Sequence, residues 1–305
     1  MAVKEMTNMK AVCDRDALVE AMGLITGVVA GRTPTPALQC VRMTGQDGVM
    51  QLAASDTEIS LTLTIDRVDL ENDGEALVPA DKFAQIAKSC DDATLTIVGD
   101  DNALVVRSSD SRFKVFGFPI SEAANVPEFG DLEPDFTMDA ASLKTIMEKS
   151  TFAAATDHSR YAINGVLLDR TGNQVRLVAT NGHRLAIATG SCDGNQENQK
   201  CIIPTKAMTL LKRLLHDDNG TVSIRVEGGQ IIVHVSHEQG TTATLSSNLV
   251  EGTFPPFEDV IPKDLDRKAT IATDALNKAI RRAHLMTNEE SRGVRLAFDG
   301  DSLQI

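Results

Sequence analysis

The sequence predicts an α+β chain in which one domain design is used repeatedly: two complete copies, then the start of a third. Two observations carry that expectation. Matched residues recur at a constant offset of 125, and amphipathic helices alternate with short strand runs in the same order each time. Leu18 in "DRDALVEAM" matches Leu143 in "DAASLKTIM". The same offset pairs Leu52 with Leu177, Ser55 with Thr180, Asp56 with Asn181 and Pro79 with Pro204. Each copy runs helix, strands, turn, strand, then "VP" or "IP" before a second helix, and closes on "NVPEF" or "TFPPF". A third copy starts at "TDALNKAIRRAHLM", where Leu276 takes the place of Leu143; Gly293 in "SRGVRLAF" then takes that of Gly165, and Ile305 falls opposite Leu177. A period this long means duplicated domains and not a solenoid. The expected domains are 9–132, 133–265 and an incomplete 266–305. The acidic, proline-bearing stretches 119–135 and 250–267 lie between them as linkers or edge segments.

Five helices follow from periodicity and start signals, over 14–29, 80–90, 139–153, 204–216 and 273–286. Leu18, Met22, Ile25 and Val29 share one face of the first; Met208, Leu211 and Leu215 share one face of the fourth. Asp139 and Thr273 fit N-caps, and Pro204 fits a first helical position. Gly23 and Gly27 each weaken the first helix. With ten Phe, one Tyr and no Trp, the cores must be aliphatic.

The five helical windows hold eleven basic and seven acidic residues, a sum of +4, while the rest of the chain carries −17. Lys and Arg are good helix formers, which is one explanation. The other is that repeated helices share one surface facing a polyanion, a basic face within an acidic body suited to surrounding DNA without adhering to it. The net charge of −13 argues against a chain that grips nucleic acid over its whole surface. No run of 18 apolar residues exists, and "MAVKEMTNMK" has no apolar signal core; Met9 could equally be the start. The five cysteines form no CxxC pair, which fits reduced thiols in a cytoplasm.

"ATNGHRLA", residues 179–186, reads first as a hairpin. Asn181-Gly182 would form a two-residue type I′ turn, and His183 and Arg184 would open the next strand. The first copy has "AASDTEIS" here, so the turn is shared but the Gly-His-Arg content is not. A turn alone does not require that change, and a functional rim is the second reading.

Enzyme signatures are weak. Asp157, His158 and Ser159 are sequence neighbours, a poor arrangement for a triad. The histidines show no HExxH spacing, and "AGRTPT" lacks the Gly-Lys-Ser/Thr of a phosphate loop. The pairs Asp100-Asp101 and Asp217-Asp218 fall in turn-like stretches. No catalysis, cofactor or metal is expected.

"FAAATDHSRYAINGVLLD", "VRLVATNGHRLAIAT", "TFPPFEDVIPK" and "NEESRGVRL" together resemble the bacterial DNA polymerase III beta subunit family, the sliding clamps. The resemblance runs from about Met9 to Ile305. It implies repeated DNA-clamp domains with helices on one face and antiparallel sheet on the other. It also implies a head-to-tail dimeric ring around duplex DNA, and a cytoplasmic processivity factor. Its partners would be the DNA polymerase III catalytic subunit and the clamp loader, held through short linear motifs. By the resemblance, Arg32, Arg160 and Tyr161 lie near DNA. Lys82, Lys88, Lys144, Lys149, Lys206, Lys212, Arg213, Lys278, Arg281 and Arg282 would meet phosphates. Ile163, Thr180, Gly182, His183, Arg184, Leu185, Pro255 and Val260 align with one side of a peptide-binding groove, with Leu185, Ile163 and Val260 as its apolar floor. Phe113 and Val115 resemble one side of the ring interface, Leu285 and Met286 the other.

Three departures stand out. Ala162 replaces a common aromatic, Asp259 replaces a usual basic residue, and roughly two thirds of the family's third domain has no counterpart in these 305 residues. The resemblance therefore implies that a complete chain dimerises, whereas these 305 residues are expected to be monomeric or poorly associated and to bind peptide weakly; the alternative is a DNA-free fragment that still binds peptides, told apart by whether it loads onto circular DNA.

Overall fold

Asp14 and Asp139 occupy matched positions and act alike. Each ends a short strand and accepts from a backbone N–H of the next helix's first turn, Ala17 N at 2.8 Å and Ser142 N at 2.9 Å. Those caps start α1 (Arg15–Ile25) and α3 (Ala140–Glu148) in a computed structural model that describes the chain outside residues 1–8, 101, 131–132, 156–162, 196, 216–219, 238–241, 264–265, 289–292 and 301.

The first copy continues as β1 (Lys10–Asp14), α1, β2 (Cys40–Gln46), β3 (Val49–Ser55), β4 (Ile59–Ile65), β5 (Val68–Asn72) and β6 (Gly74–Pro79). It ends with α2 (Ala80–Ser89), β7 (Thr94–Asp100), β8 (Ala103–Arg107) and β9 (Arg112–Phe116). The second repeats that order: β10 (Phe136–Asp139), α3, β11 (Gly165–Thr171), β12 (Gln174–Thr180), β13 (Leu185–Ser191), β14 (Asp193–Gly194) and β15 (Gln199–Pro204). Then come α4 (Thr205–Leu214), β16 (Gly220–Glu227), β17 (Gln230–His237) and β18 (Thr242–Asn248).

Sheet topology repeats as well. The order β5-β1-β7-β8-β9 is matched by β14-β10-β16-β17-β18, and β6-β2-β3-β4 by β15-β11-β12-β13. All pairings are antiparallel. The copies join where β18 pairs with β4, from Thr242↔Thr64 to Ser247↔Ile59, fusing two sheets into one of nine strands. Joined in this way, residues 1–255 form one compact unit and 256–305 a second.

The helices lie against the sheets, and α2, α1, α4 and α3 touch in that sequence, so the helix layer is continuous across both copies. Gly27 makes the crossing possible. A Cβ there would meet the Leu210 side chain at 3.0 Å and the Arg213 guanidinium at 3.1 Å. The matched anchors Leu18, Leu143, Leu52 and Leu177 are all buried in one aliphatic core, with Phe83 and Phe136 its fully enclosed rings. All five cysteines are free and buried; desolvation pushes the Cys13 and Cys201 thiols up to about 12.

Several expected boundaries shift. The first helix ends at Ile25 and not 29: Gly27 N and Val28 N turn back to Leu24 O and Ile25 O, a tightened last turn. The third ends at Glu148, and Thr151–Ala153 form a separate 3₁₀ turn. Pro204 ends β15 and precedes the first helical residue, Thr205. Thr273 is itself helical, after Ala272, which has no capping side chain. The second unit holds a 3₁₀ turn (Phe257–Val260), α5 (Thr273–His284) and the pair β19 (Ala297–Asp299) and β20 (Ser302–Gln304). Among the described residues no helix is long and apolar enough to cross a membrane, and no His, Cys, Asp or Glu group could hold a metal ion.

Candidate functional site

The β12–β13 connection is not a two-residue turn. The last ladder pair is Thr180↔Leu185, so four residues, Asn181 to Arg184, form the loop, and the strand opens at Leu185 instead of His183. Only Gly182 has positive φ, at 86°, which rules out type I′. Side chains set the shape. Asn181 Oδ1 accepts from His183 N and Arg184 N, both at 3.1 Å. Thr180 Oγ1 accepts from Gly182 N at 3.1 Å and donates to Arg184 O at 2.8 Å. An Asx turn of this kind satisfies the loop's N–H groups internally and leaves the His183 and Arg184 side chains exposed.

Leu185 and Ile187 share the outward face of β13, Leu185 half-buried and Ile187 exposed. The 3₁₀ turn Thr151–Ala153 packs on β12 and β13 and presents Phe152, whose ring is 59% exposed. The Arg184 guanidinium lies over that ring, 5.7 Å from its centroid. Ile163, half-buried, is held beside the same turn by its carbonyl, which accepts from Ala155 N at 3.4 Å. Phe152 was missed in the sequence reading. Its signal was present, since the matched position in the first copy is Gly27. Pro255 is exposed beside buried Phe254, on a segment anchored by Val250 N donating to Ile202 O at 2.9 Å. Val260 and Asp259 are exposed and belong to the second compact unit.

The expected DNA-facing cations divide into free and engaged groups. Lys82 and Lys88 on α2, Lys149 at the end of α3, and Arg32 in the loop after α1 are exposed. Lys278, Arg281 and Arg282 are exposed on α5, with Arg281 also donating to Asn277 Oδ1 at 3.1 Å. Lys144 is half-buried and engaged. On α4, which carries three bases and no acid, Lys206 pairs with Asp56, Lys212 lies 3.8 Å from Glu148, and Arg213 donates to Gly23 O at 2.8 Å. Lys206 and Arg213 therefore tie the second copy to the first. Arg160 and Tyr161 lie outside the described residues, as do Ala162 and the Asp157-His158-Ser159 run.

β9 ends one sheet and β13 another. The expectation for β9 needs correction: Val115 is buried in its own core and Phe113 packs against that core. What β9 offers outward is its main-chain edge with Arg112, Lys114 and the exposed Phe116, because alternate side chains face opposite ways. Leu285 and Met286, just after α5, are 80% and 89% exposed.

Two tandem copies of one helix-and-sheet design, joined strand to strand, have a counterpart among known proteins. Residues 9–127, 137–256 and 258–305 match the N-terminal, central and C-terminal domains of the DNA polymerase III beta subunit. The beta sliding clamp of Pseudomonas putida is 35% identical over 298 residues, covering 95% of this chain and 78% of that protein. The Escherichia coli protein of that name is 29% identical, with 97% and 80% covered. A crystal structure of a sliding clamp from Pseudomonas aeruginosa bound to griselimycin superimposes with a TM-score of 0.86 at 30% identity, over 96% of this chain and 78% of that one. Matched in all three domains and along nearly its whole length, the chain belongs to the DNA polymerase III beta subunit family, the sliding clamps.

Proposed function

We propose that this chain serves as a DNA polymerase processivity factor of the cytoplasm, with 9–132, 133–265 and 266–305 as its clamp domains and no catalytic role. The observation that carries the reading is the unbroken helix layer α2-α1-α4-α3 with Lys82, Lys88, Lys149 and Lys212 exposed on it, in a chain of net charge −13. Such a face meets the phosphates of encircled duplex DNA without base readout, while the acidic remainder repels it. The β18·β4 junction supports a head-to-tail arrangement: it is a heterologous pairing, and β9 and β13 are the sheet ends that could repeat it. In the ring interface β9, with Phe113 and Val115 behind its edge, faces Leu285 and Met286 of a second copy.

The Asn181–Arg184 loop, Thr180, Leu185, Ile163 and Pro255 form one wall of the groove for polymerase and clamp-loader motifs, and Val260 is assigned to that groove by the family resemblance alone. Phe152 adds an apolar surface that Arg184 steadies. A short peptide buries few side chains, so affinity is about micromolar at best. The test is calorimetry with a pentapeptide carrying Leu and Phe, on the native chain and on His183→Ala/Leu185→Ala. Loss of binding by about tenfold or more is expected, equivalent to ~1.4 kcal/mol. Equal affinity in the two proteins refutes the groove.

A further inference from the structure

The first copy has its own version of this groove, with different chemistry. Its loop carries the same bonds: Asp56 Oδ1 accepts from Glu58 N at 3.0 Å and Ile59 N at 2.8 Å, and Ser55 Oγ accepts from Thr57 N at 3.1 Å. At the 125-residue offset, Leu38 stands for Ile163, Glu58 for His183 and Ser60 for Leu185. These residues line a cleft of about 670 Å³, closed by Glu122 and Pro127 on one side and by Gln230 and Ser246 of the second copy on the other. Its size lies within the range of ligand-binding clefts.

Two features indicate an occupant. Ser60 and Ser246 are cross-strand partners in the β4·β18 junction, 5% and 3% exposed, and both line the cleft. Among the described residues neither hydroxyl has a hydrogen-bond partner. Both residues are buried on every side but the cleft, so their unpaired hydroxyls open into it, where a ligand's amide groups would pair with them. Above them stand two carboxylates, Glu58 and Glu122, both exposed and with no lysine or arginine among the lining residues. Leu38, Ile59 and Pro127 supply apolar wall.

We infer that this cleft binds an extended peptide segment bearing Lys or Arg. Its backbone amides meet Ser60 and Ser246, and its cationic side chains reach Glu58 and Glu122. The same carboxylates exclude phosphate-bearing ligands, nucleic acid included. The site is separate from the Leu185 groove and carries Glu58 and Ile59 where that groove carries His183 and Arg184.

The experiment uses fluorescence anisotropy at 150 mM salt with two labelled pentapeptide pools, Ac-X-Lys-X-Lys-X and Ac-X-Glu-X-Glu-X, on the full chain. The lysine pool should bind about tenfold more tightly than the glutamate pool, as two charge-assisted contacts imply. Glu58→Gln/Glu122→Gln should abolish that preference, and His183→Ala/Leu185→Ala should leave it intact. Both glutamates are exposed, so the fold should persist; if the double variant melts early, Glu122→Gln alone provides the same test. A preference that survives in the cleft variants reflects only the chain's acidity and overturns the proposal, as does equal binding of the two pools. Loss in the His183/Leu185 variant assigns binding to the other groove and equally overturns it.

Discussion

The loop between β3 and β4 and the loop between β12 and β13 adopt one conformation with different residues. In each, an Asx side chain at the first position accepts from the third and fourth backbone N–H groups, and a Ser or Thr just before it accepts from the second. The second position takes positive φ in both, 79° at Thr57 and 86° at Gly182. The fourfold agreement shows that the backbone shape depends on positions one and two and on the preceding hydroxyl. The third position is free to change, and it is Glu58 in one copy and His183 in the other. Duplication thus preserved the frame and altered the side chains directed at solvent.

The frame is tested by its core. Leu52→Ala and Leu177→Ala should each destabilise the chain by about 2–5 kcal/mol, and by similar amounts, because both leucines are buried at matched places. Urea unfolding measures this; a cost confined to one copy would break the equivalence. The second loop position gives an intermediate effect of opposite sign in the two copies. A β-branched residue at positive φ is strained, so Gly182→Thr should cost ~1–2 kcal/mol, whereas Thr57→Gly should gain about 0.5–1 kcal/mol after the added chain entropy of glycine. Matching signs would show that Thr57 has local contacts compensating its backbone. The smallest effect concerns a bond that only one loop has. Asp56 also pairs with Lys206 of α4, and Lys206→Ala should cost less than about 1 kcal/mol, since the lysine side chain is 48% exposed. The loss should shrink further in high salt.

Much of this was legible along the chain. Asp14 and Asp139 advertise helix starts by residue type, and the spacing of Leu18, Met22 and Ile25 announces a buried helix face. The loop after Thr180 was located but misjudged, because Asn-Gly carries a two-residue turn preference while Thr180 and Asn181 side chains compete for the same N–H groups and win. Val115 was expected to face a neighbour, yet alternation along β9 turns it into its own core. The replacement of Gly27 by Phe152 between the copies marks the position but not its role; its exposure and its contact with Arg184 arise from the turn that carries it.

Residue order alone determined the duplication, the five helices and the strands between them, because caps, periodicity and turn chemistry act over a few residues and appear wherever those residues occur. Tertiary structure decided what the copies do to each other. The β4·β18 pairing, the Lys206–Asp56 and Arg213–Gly23 ties, and the cleft floored by Ser60 and Ser246 all join residues far apart in the chain. Any unpaired strand edge offers the same row of N–H and C=O groups, so a strand's own composition does not name its neighbour. Packing accompanies the pairing: α1 lies on β4, α4 lies on β18, and α4 side chains meet Gly27 just after α1.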